Sequence, residues 1–166
     1  PNQGVVKLTQ VEGQYDQFNV EGFGIGITGA SGFLGKSMVK QLVANGAVVC
    51  AIGRNVDSLR ALENECAEFK GRVIIQPGNI SSINTIESAI EKIYKATGEL
   101  NGWVNNAYQA IPISGPLSAT EQELDHYMDA LKFTILATQC VANSMLKNSS
   151  TPEKSNSIIN IASMYG

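Results

Sequence analysis

Four stretches of this chain carry residue types and spacings that could do chemistry. The first is TGASGFLG, Thr28 to Gly35. Its glycines fall at Gly29, Gly32 and Gly35. Gly29 suits a tight turn, Gly32 lets a backbone approach a pyrophosphate with no Cβ in the way, and Gly35 allows close packing of helix on strand. The stretch follows the apolar run Phe23–Ile27 and opens a helical pattern, the setting in which such a turn holds an anion on free helix N–H groups. That context favours a nucleotide over a bare turn.

The second stretch is Gly53-Arg54-Asn55, after the apolar run Ala47–Ile52. A site for NAD(H) normally presents Asp or Glu here, to bind the ribose hydroxyls. No carboxylate is present to repel a 2′-phosphate, and the Arg54 guanidinium can pair with one. The residues therefore favour NADP(H) over NAD(H); taken alone, Arg54 also fits a solvated charge. The third stretch is Asn105-Asn106-Ala107-Tyr108. The fourth is Ile159-Asn160-Ile161-Ala162-Ser163-Met164-Tyr165-Gly166. Ser163 ends an apolar strand pattern with no neighbouring His or acid to make it a nucleophile. Its hydroxyl is placed to polarise a substrate oxygen, or, read alone, to cap the strand end.

These stretches need a frame. The chain has 166 residues, 43% hydrophobic and 16% charged, with a net charge of −3. That suits one globular domain with a real core, and the acidic balance argues against nucleic acid as a partner. Three cysteines, Cys50, Cys66 and Cys140, lack the spacing of a disulfide framework or a zinc site and suit buried free thiols in a reducing compartment. No apolar run approaches the roughly 20 residues that cross a bilayer. The single His126 makes no metal site.

Apolar runs alternate with helical periodicity. Strands are expected near Phe23–Ile27, Ala47–Ile52, Val73–Ile75, Gly102–Asn106 and Ser157–Ala162. Helices are expected over Lys36–Asn45, from an N-cap at Asp57 to about Phe69, from Ser81 or Ser82 to Gly98, and from about Thr120 to Leu146. Buried strands alternating with helices predict an α/β fold, a doubly wound parallel sheet of Rossmann type over residues 23–166. Residues 1–22 are a polar lead-in, expected to be flexible, with a strand near Val5–Leu8. Ligands in such folds sit at the carboxyl ends of the strands.

In that order and context, TGASGFLG, Asn105-Asn106-Ala107-Tyr108 and Ile161-Ala162-Ser163 resemble the short-chain dehydrogenase/reductase family. The resemblance covers nearly everything from about Val20. It implies an oxidoreductase with a nicotinamide cofactor and a Ser–Tyr–Lys centre that moves hydride at a carbonyl or alcohol. By the same resemblance Gly29, Ser31, Gly32, Phe33, Leu34 and Gly35 lie along the cofactor, and Arg54 and Asn55 meet the adenosine phosphate. Asn79 and Ile80 sit by the adenine, and Asn105, Ala107 and Tyr108 beside the ribose and nicotinamide. Ser163 is then the catalytic serine, and Tyr165 lines the substrate cleft or packs. The resemblance also implies a small-molecule substrate, a cytoplasmic homodimer or homotetramer paired through the long helix, and no metal, membrane or nucleic acid.

Several residues depart from the family pattern. The spacing T-G-x-x-G-x-x-G resembles the branch that works on nucleotide sugars, whereas Asn-Asn-Ala resembles the shorter single-domain reductases. Asn79 stands where the family usually has Asp. Ala130 falls, in an ungapped alignment, where many relatives carry the Asn of a proton relay. The chain starts at Pro1 and stops three residues after Ser163, so Tyr-x-x-x-Lys is expected beyond Gly166, and the 166 residues alone are expected to be inactive. Three readings follow: an NADP(H)-dependent reductase or dehydrogenase acting on a sugar-related substrate; a nucleotide-sugar epimerase or dehydratase; and a catalytically incomplete nucleotide-binding module.

Overall fold

The computed structural model describes residues 19–108, 115, 117–148 and 156–162. Val5–Leu8, Ser163 and Tyr165 lie outside the described residues. Five strands and four helices alternate among the described residues: β1 (Gly24–Thr28), α1 (Phe33–Ala44), β2 (Val48–Gly53), α2 (Val56–Glu65), β3 (Arg72–Pro77), α3 (Ile83–Thr97), β4 (Gly102–Asn105), α4 (Glu121–Asn148) and β5 (Ser157–Asn160). Every strand pairing is parallel, in the order β3-β2-β1-β4-β5. This is the expected doubly wound sheet. The order reverses between β1 and β4, which opens a crevice at the carboxyl ends of those two strands.

The sheet carries a core on each face. On one, Ile25 and Ile27 of β1 and Val49 and Ala51 of β2 pack with Val39 and Val43 of α1 and Leu59 and Leu62 of α2. On the other, Cys50 and Ile52 of β2 and Trp103 of β4 pack with Ile86, Ile90 and Ile93 of α3 and Ala137, Val141 and Met145 of α4. The alternation along β2 assigns successive side chains to opposite layers, as the pleat requires. In β1 the second face carries glycine. A Cβ on Gly24 would run into α3, and one on Gly26 would overlap the Trp103 ring. Central β1 thus admits one helix and one large aromatic ring on a face that bulkier residues would fill.

The helix ends follow local chemistry, with three corrections to the sequence reading. The N-cap of α2 is Asn55, whose Oδ1 accepts from the Ser58 N–H at 2.9 Å; Asp57 lies inside the first turn, where a carboxylate suits the helix dipole. The helix then stops at Glu65, short of Phe69. At α1 the first turn begins at Phe33, earlier than Lys36, because Gly32 already has the extended N-cap conformation. Ser82 and Gly98 bound α3 as expected, Gly98 in the left-handed conformation that ends helices. Thr120 and Glu123 form a reciprocal capping box before α4: the Thr120 N–H donates to Glu123 Oε2 at 2.7 Å, and the Glu123 N–H to Thr120 Oγ1 at 3.3 Å.

Candidate functional site

The glycine-rich turn folds tightly at the carboxyl end of β1. Gly29 has φ +64°, the Ala30 N–H donates to the Ile52 carbonyl at 3.2 Å, and the Gly32 N–H to the Gly29 carbonyl at 3.0 Å. A Cβ on Gly35 would overlap the Gly29 carbonyl, so the third glycine lets α1 press against the turn. No side chain caps α1, and its first turn holds no acid. The N–H groups of Phe33, Leu34 and Gly35 therefore have no partner among the described residues. Open N–H groups at a helix N-terminus, with the positive end of the helix dipole, suit an anion. Phe33 and Leu34 stand at this mouth with 92% and 55% of their surface exposed.

The turn is joined to β4 by two residues that the sequence reading did not single out as site residues. The hydroxyl of Thr28, the buried last residue of β1, accepts the N–H groups of Asn106 and Ala107, each at 3.0 Å. The Asn106 amide donates back to the carbonyls of Thr28 at 3.0 Å and Gly29 at 3.2 Å. Two strand ends are thereby clamped side by side. A Cβ on Gly29 would lie 2.9 Å from the Ala107 Cα, so no larger residue fits between them. The signal for this clamp was present, since Thr28 and Asn106 are the polar residues at the two turns, but no spacing rule pairs residues so far apart in sequence.

Three of the expected residues lie by this clamp. Asn105, Ala107 and Ile80 line one hollow with Thr28, Ile86, Phe133, Thr134 and Ala137, at the crevice between β1 and β4. The Asn105 amide is engaged by the protein: Oδ1 accepts from Trp103 Nε1 at 2.8 Å, and Nδ2 donates to Thr138 Oγ1 at 2.9 Å and to Asn160 Oδ1 at 2.8 Å. Asn79 is exposed, and its Oδ1 accepts from the Ser81 N–H at 3.1 Å, which shapes the turn after β3. At the end of β2, Ser31 Oγ would lie 3.7 Å from a Cβ on Gly53, so the glycine-rich turn and Arg54 are neighbours. Arg54 is exposed, and its guanidinium has no partner among the described residues. Asn55 spends its oxygen on the α2 cap. Tyr108 is 64% exposed beyond the crevice.

His126 is exposed on α4, and among the described residues no cluster of His, Cys, Asp or Glu is set to hold a metal. Ala130, in the same helix, offers only its carbonyl, to Thr134 Oγ1 at 3.2 Å. Cys50 and Cys66 are buried and Cys140 is half-buried, all three free. Burial pushes the Cys50 thiol up from 9.0 to about 12, and burial likewise raises Cys66 and Cys140. Raised thiols are poor nucleophiles at neutral pH. On the far side of α1, Lys36 and Lys40 share Glu65 at 2.7 and 2.5 Å, and their hydrogen bonds hold its carboxyl below the usual glutamate range.

The strand order and the site at its switch point define a Rossmann-type sheet. The profile of the family described as short chain dehydrogenase matches residues 25–166. The chain belongs to this family, and so to a family of oxidoreductases. A short-chain dehydrogenase/reductase from Diaporthe leptostromiformis, PhomF, is 38% identical over 101 residues, 61% of this chain and 33% of that protein. A short-chain type dehydrogenase/reductase from Mycobacterium marinum shares the fold with a TM-score of 0.80 at 24% identity, over 91% of this chain and 60% of that one. A metagenomic short-chain oxidoreductase solved in complex with NADP has a TM-score of 0.73 at 28% identity, over 88% of this chain and 64% of that one. The match to the PhomF protein thus takes in about a third of that relative's length. No helix among the described residues is long and apolar enough to cross a membrane.

Proposed function

We propose that this chain forms the cofactor-binding part of an NADP(H)-dependent reductase or dehydrogenase that moves hydride at a carbonyl or alcohol centre. The observation that carries the reading is the uncapped N-terminus of α1, set beside Arg54 at the end of β2, which has no partner among the described residues. The N–H groups of Phe33, Leu34 and Gly35 would take the pyrophosphate, and Arg54 the 2′-phosphate of the adenosine. The metagenomic relative that binds NADP supports this choice over NAD(H). Gly29, Ser31, Gly32 and Ala107 would lie along the cofactor. Ile80, Phe133 and Asn105 line a hollow beside the turn; Asn79 and Ile80 would sit by the adenine, and Asn55 with Arg54 by the adenosine phosphate. Ser163 would hold the reacting oxygen, and Tyr108 and Tyr165 would border a small substrate. On the resemblance of Asn105–Tyr108 and Ile159–Gly166 to reductases of bacterial surface-sugar modification, we take that substrate to be sugar-related.

Titration with NADP⁺ and NAD⁺ tests this. A charge-assisted hydrogen bond contributes about 1.5–3 kcal/mol, so Arg54→Ala should weaken NADP⁺ binding by roughly 10- to 150-fold and leave NAD⁺ binding unchanged. An unchanged preference overturns the cofactor choice, and no binding of either nucleotide overturns the reading. The glycine spacing favours a second reading, an epimerase or dehydratase of nucleotide sugars. Tightly held NAD(H) co-purifying with the protein would select it.

The reading extends to assembly as a homodimer or homotetramer. Leu124, Met128, Leu131 and Ile135 recur at helical spacing on α4, each at least half exposed. Leu131→Glu with Ile135→Glu should give a folded monomer by light scattering. A wild-type chain that is already monomeric would remove this part of the proposal.

A further inference from the structure

Trp103 is the chain's single tryptophan, and it is fully buried. Its ring lies over Gly26 of β1, and its indole N–H donates to Asn105 Oδ1 at 2.8 Å. The Asn105 NH₂ group then donates to Thr138 Oγ1 on α4 at 2.9 Å and to Asn160 Oδ1 on β5 at 2.8 Å. The Thr138 hydroxyl has the Thr134 carbonyl at 2.8 Å and Asn160 Oδ1 at 3.3 Å, so its proton goes to the carbonyl. These bonds join β4, β5 and α4 at the carboxyl edge of the sheet.

Two amides and a hydroxyl can hydrogen-bond in either direction, because each amide has a donor end and an acceptor end. Turned over together, Asn160 would donate to Asn105 and the Thr138 hydroxyl would point at Asn105. The indole N–H breaks the tie. It only donates, and it faces one end of the Asn105 amide. Turning that amide over would set NH₂ against N–H in a buried place, which leaves a donor unsatisfied.

We infer that Trp103 is a positioning residue whose indole N–H fixes the direction of the Trp103–Asn105–Asn160 chain and so holds β5 against β4 and α4. In that direction Asn160 is only an acceptor towards Asn105, and its own NH₂ group has no partner among the described residues. The catalytic meaning rests on the proposed function, in which β5 leads into Ser163. The hydrogen-bond direction does not depend on it.

The test uses the full chain with labelled asparagine side chains. In the wild type the Asn105 NH₂ protons, both hydrogen-bonded, should exchange slowly. Trp103→Phe keeps the ring and removes the donor. It should leave the circular dichroism spectrum and the protection of β1 and β2 unchanged while Asn105 NH₂ exchange accelerates on the order of tenfold or more. Asn160→Asp keeps an acceptor facing Asn105 and should preserve β5 protection. Asn160→Leu removes that acceptor and should abolish it. Unchanged Asn105 exchange in a folded Trp103→Phe overturns the inference. So does equal β5 protection in Asn160→Asp and Asn160→Leu, a comparison that stands even where Trp103→Phe does not fold. A purely space-filling role for Trp103 would leave Asn105 exchange in Trp103→Phe at the wild-type rate. Nucleotide titration of the wild type reports separately on the proposed function, since failure to bind leaves the exchange pattern intact.

Discussion

Gly29 shows how much one missing side chain decides. Its φ of +64° costs an ordinary L-residue roughly 1–2 kcal/mol, and the Ala107 backbone leaves no room for a Cβ. Gly29→Ala should lower the melting temperature by about 2–8 °C and pull the β1 turn away from β4. A calorimetric scan reads the first effect, and an unchanged melting temperature would refute the conformational argument. The same logic explains why the glycines were legible in the sequence: a turn this tight accepts almost nothing else. Asn55 and Asn105 were legible only as polar residues near strand ends. Which partner each amide takes depends on Ser58, Trp103, Thr138 and Asn160, and the last two arrive from other elements. Cys50 gives a second prediction at this scale. Its folded thiol is raised from 9.0 to about 12, so between those values the unfolded chain has lost a proton that the folded chain keeps. Stability from this group is fully present below pH 9 and falls as pH rises towards about 12. The urea midpoint should therefore fall between pH 8.5 and 11 (about two-thirds of that window), and by less in Cys50→Ala; an equal fall in both would exclude Cys50 as the cause.

Among the elements, α4 separates what local sequence dictates from what packing dictates. Its start at Thr120 could be read directly, since Thr-x-x-Glu satisfies two orphan N–H groups reciprocally. Thr120→Ala should cost roughly 1 kcal/mol, read from chemical denaturation, with no change in nucleotide binding because the cap lies far along the helix from Thr134 and Ala137. A loss of binding equal to that of Arg54→Ala would show that the helix start shapes the hollow. The inner face of α4 was less legible. Its apolar residues divide between the buried Ala137, Val141 and Met145 and the exposed stripe at Leu124, Met128, Leu131 and Ile135. Periodicity alone gives both groups the same helical spacing. The strands show a similar limit. Alternating elements predicted a parallel sheet, and the structure has one, but the boundary at β1 moved by one residue. Phe23 is partly exposed, and Thr28 is drawn into the strand by the clamp to Asn106 and Ala107.

For the whole molecule, the sheet makes two cores depend on each other. Ile25 and Ile27 face α1 and α2, while Gly24 and Gly26, alternating with them along the same strand, face α3 and Trp103. A strand cannot leave one layer and stay in the other, so the layers should unfold together. Trp103 reports on the α3 and α4 side alone, and far-ultraviolet circular dichroism reports on all four helices. Urea unfolding followed by the two signals should superimpose, as a single cooperative transition requires. Gly26→Ala then tests the coupling. The added methyl group would overlap the Trp103 ring, and overpacking of this kind costs typically about 1–3 kcal/mol. Both signals should move to lower urea together by the same amount. An early shift in Trp103 emission, with the helical signal held at its wild-type midpoint, would mean that the α3 and α4 layer opens independently of the layer that carries the glycine-rich turn.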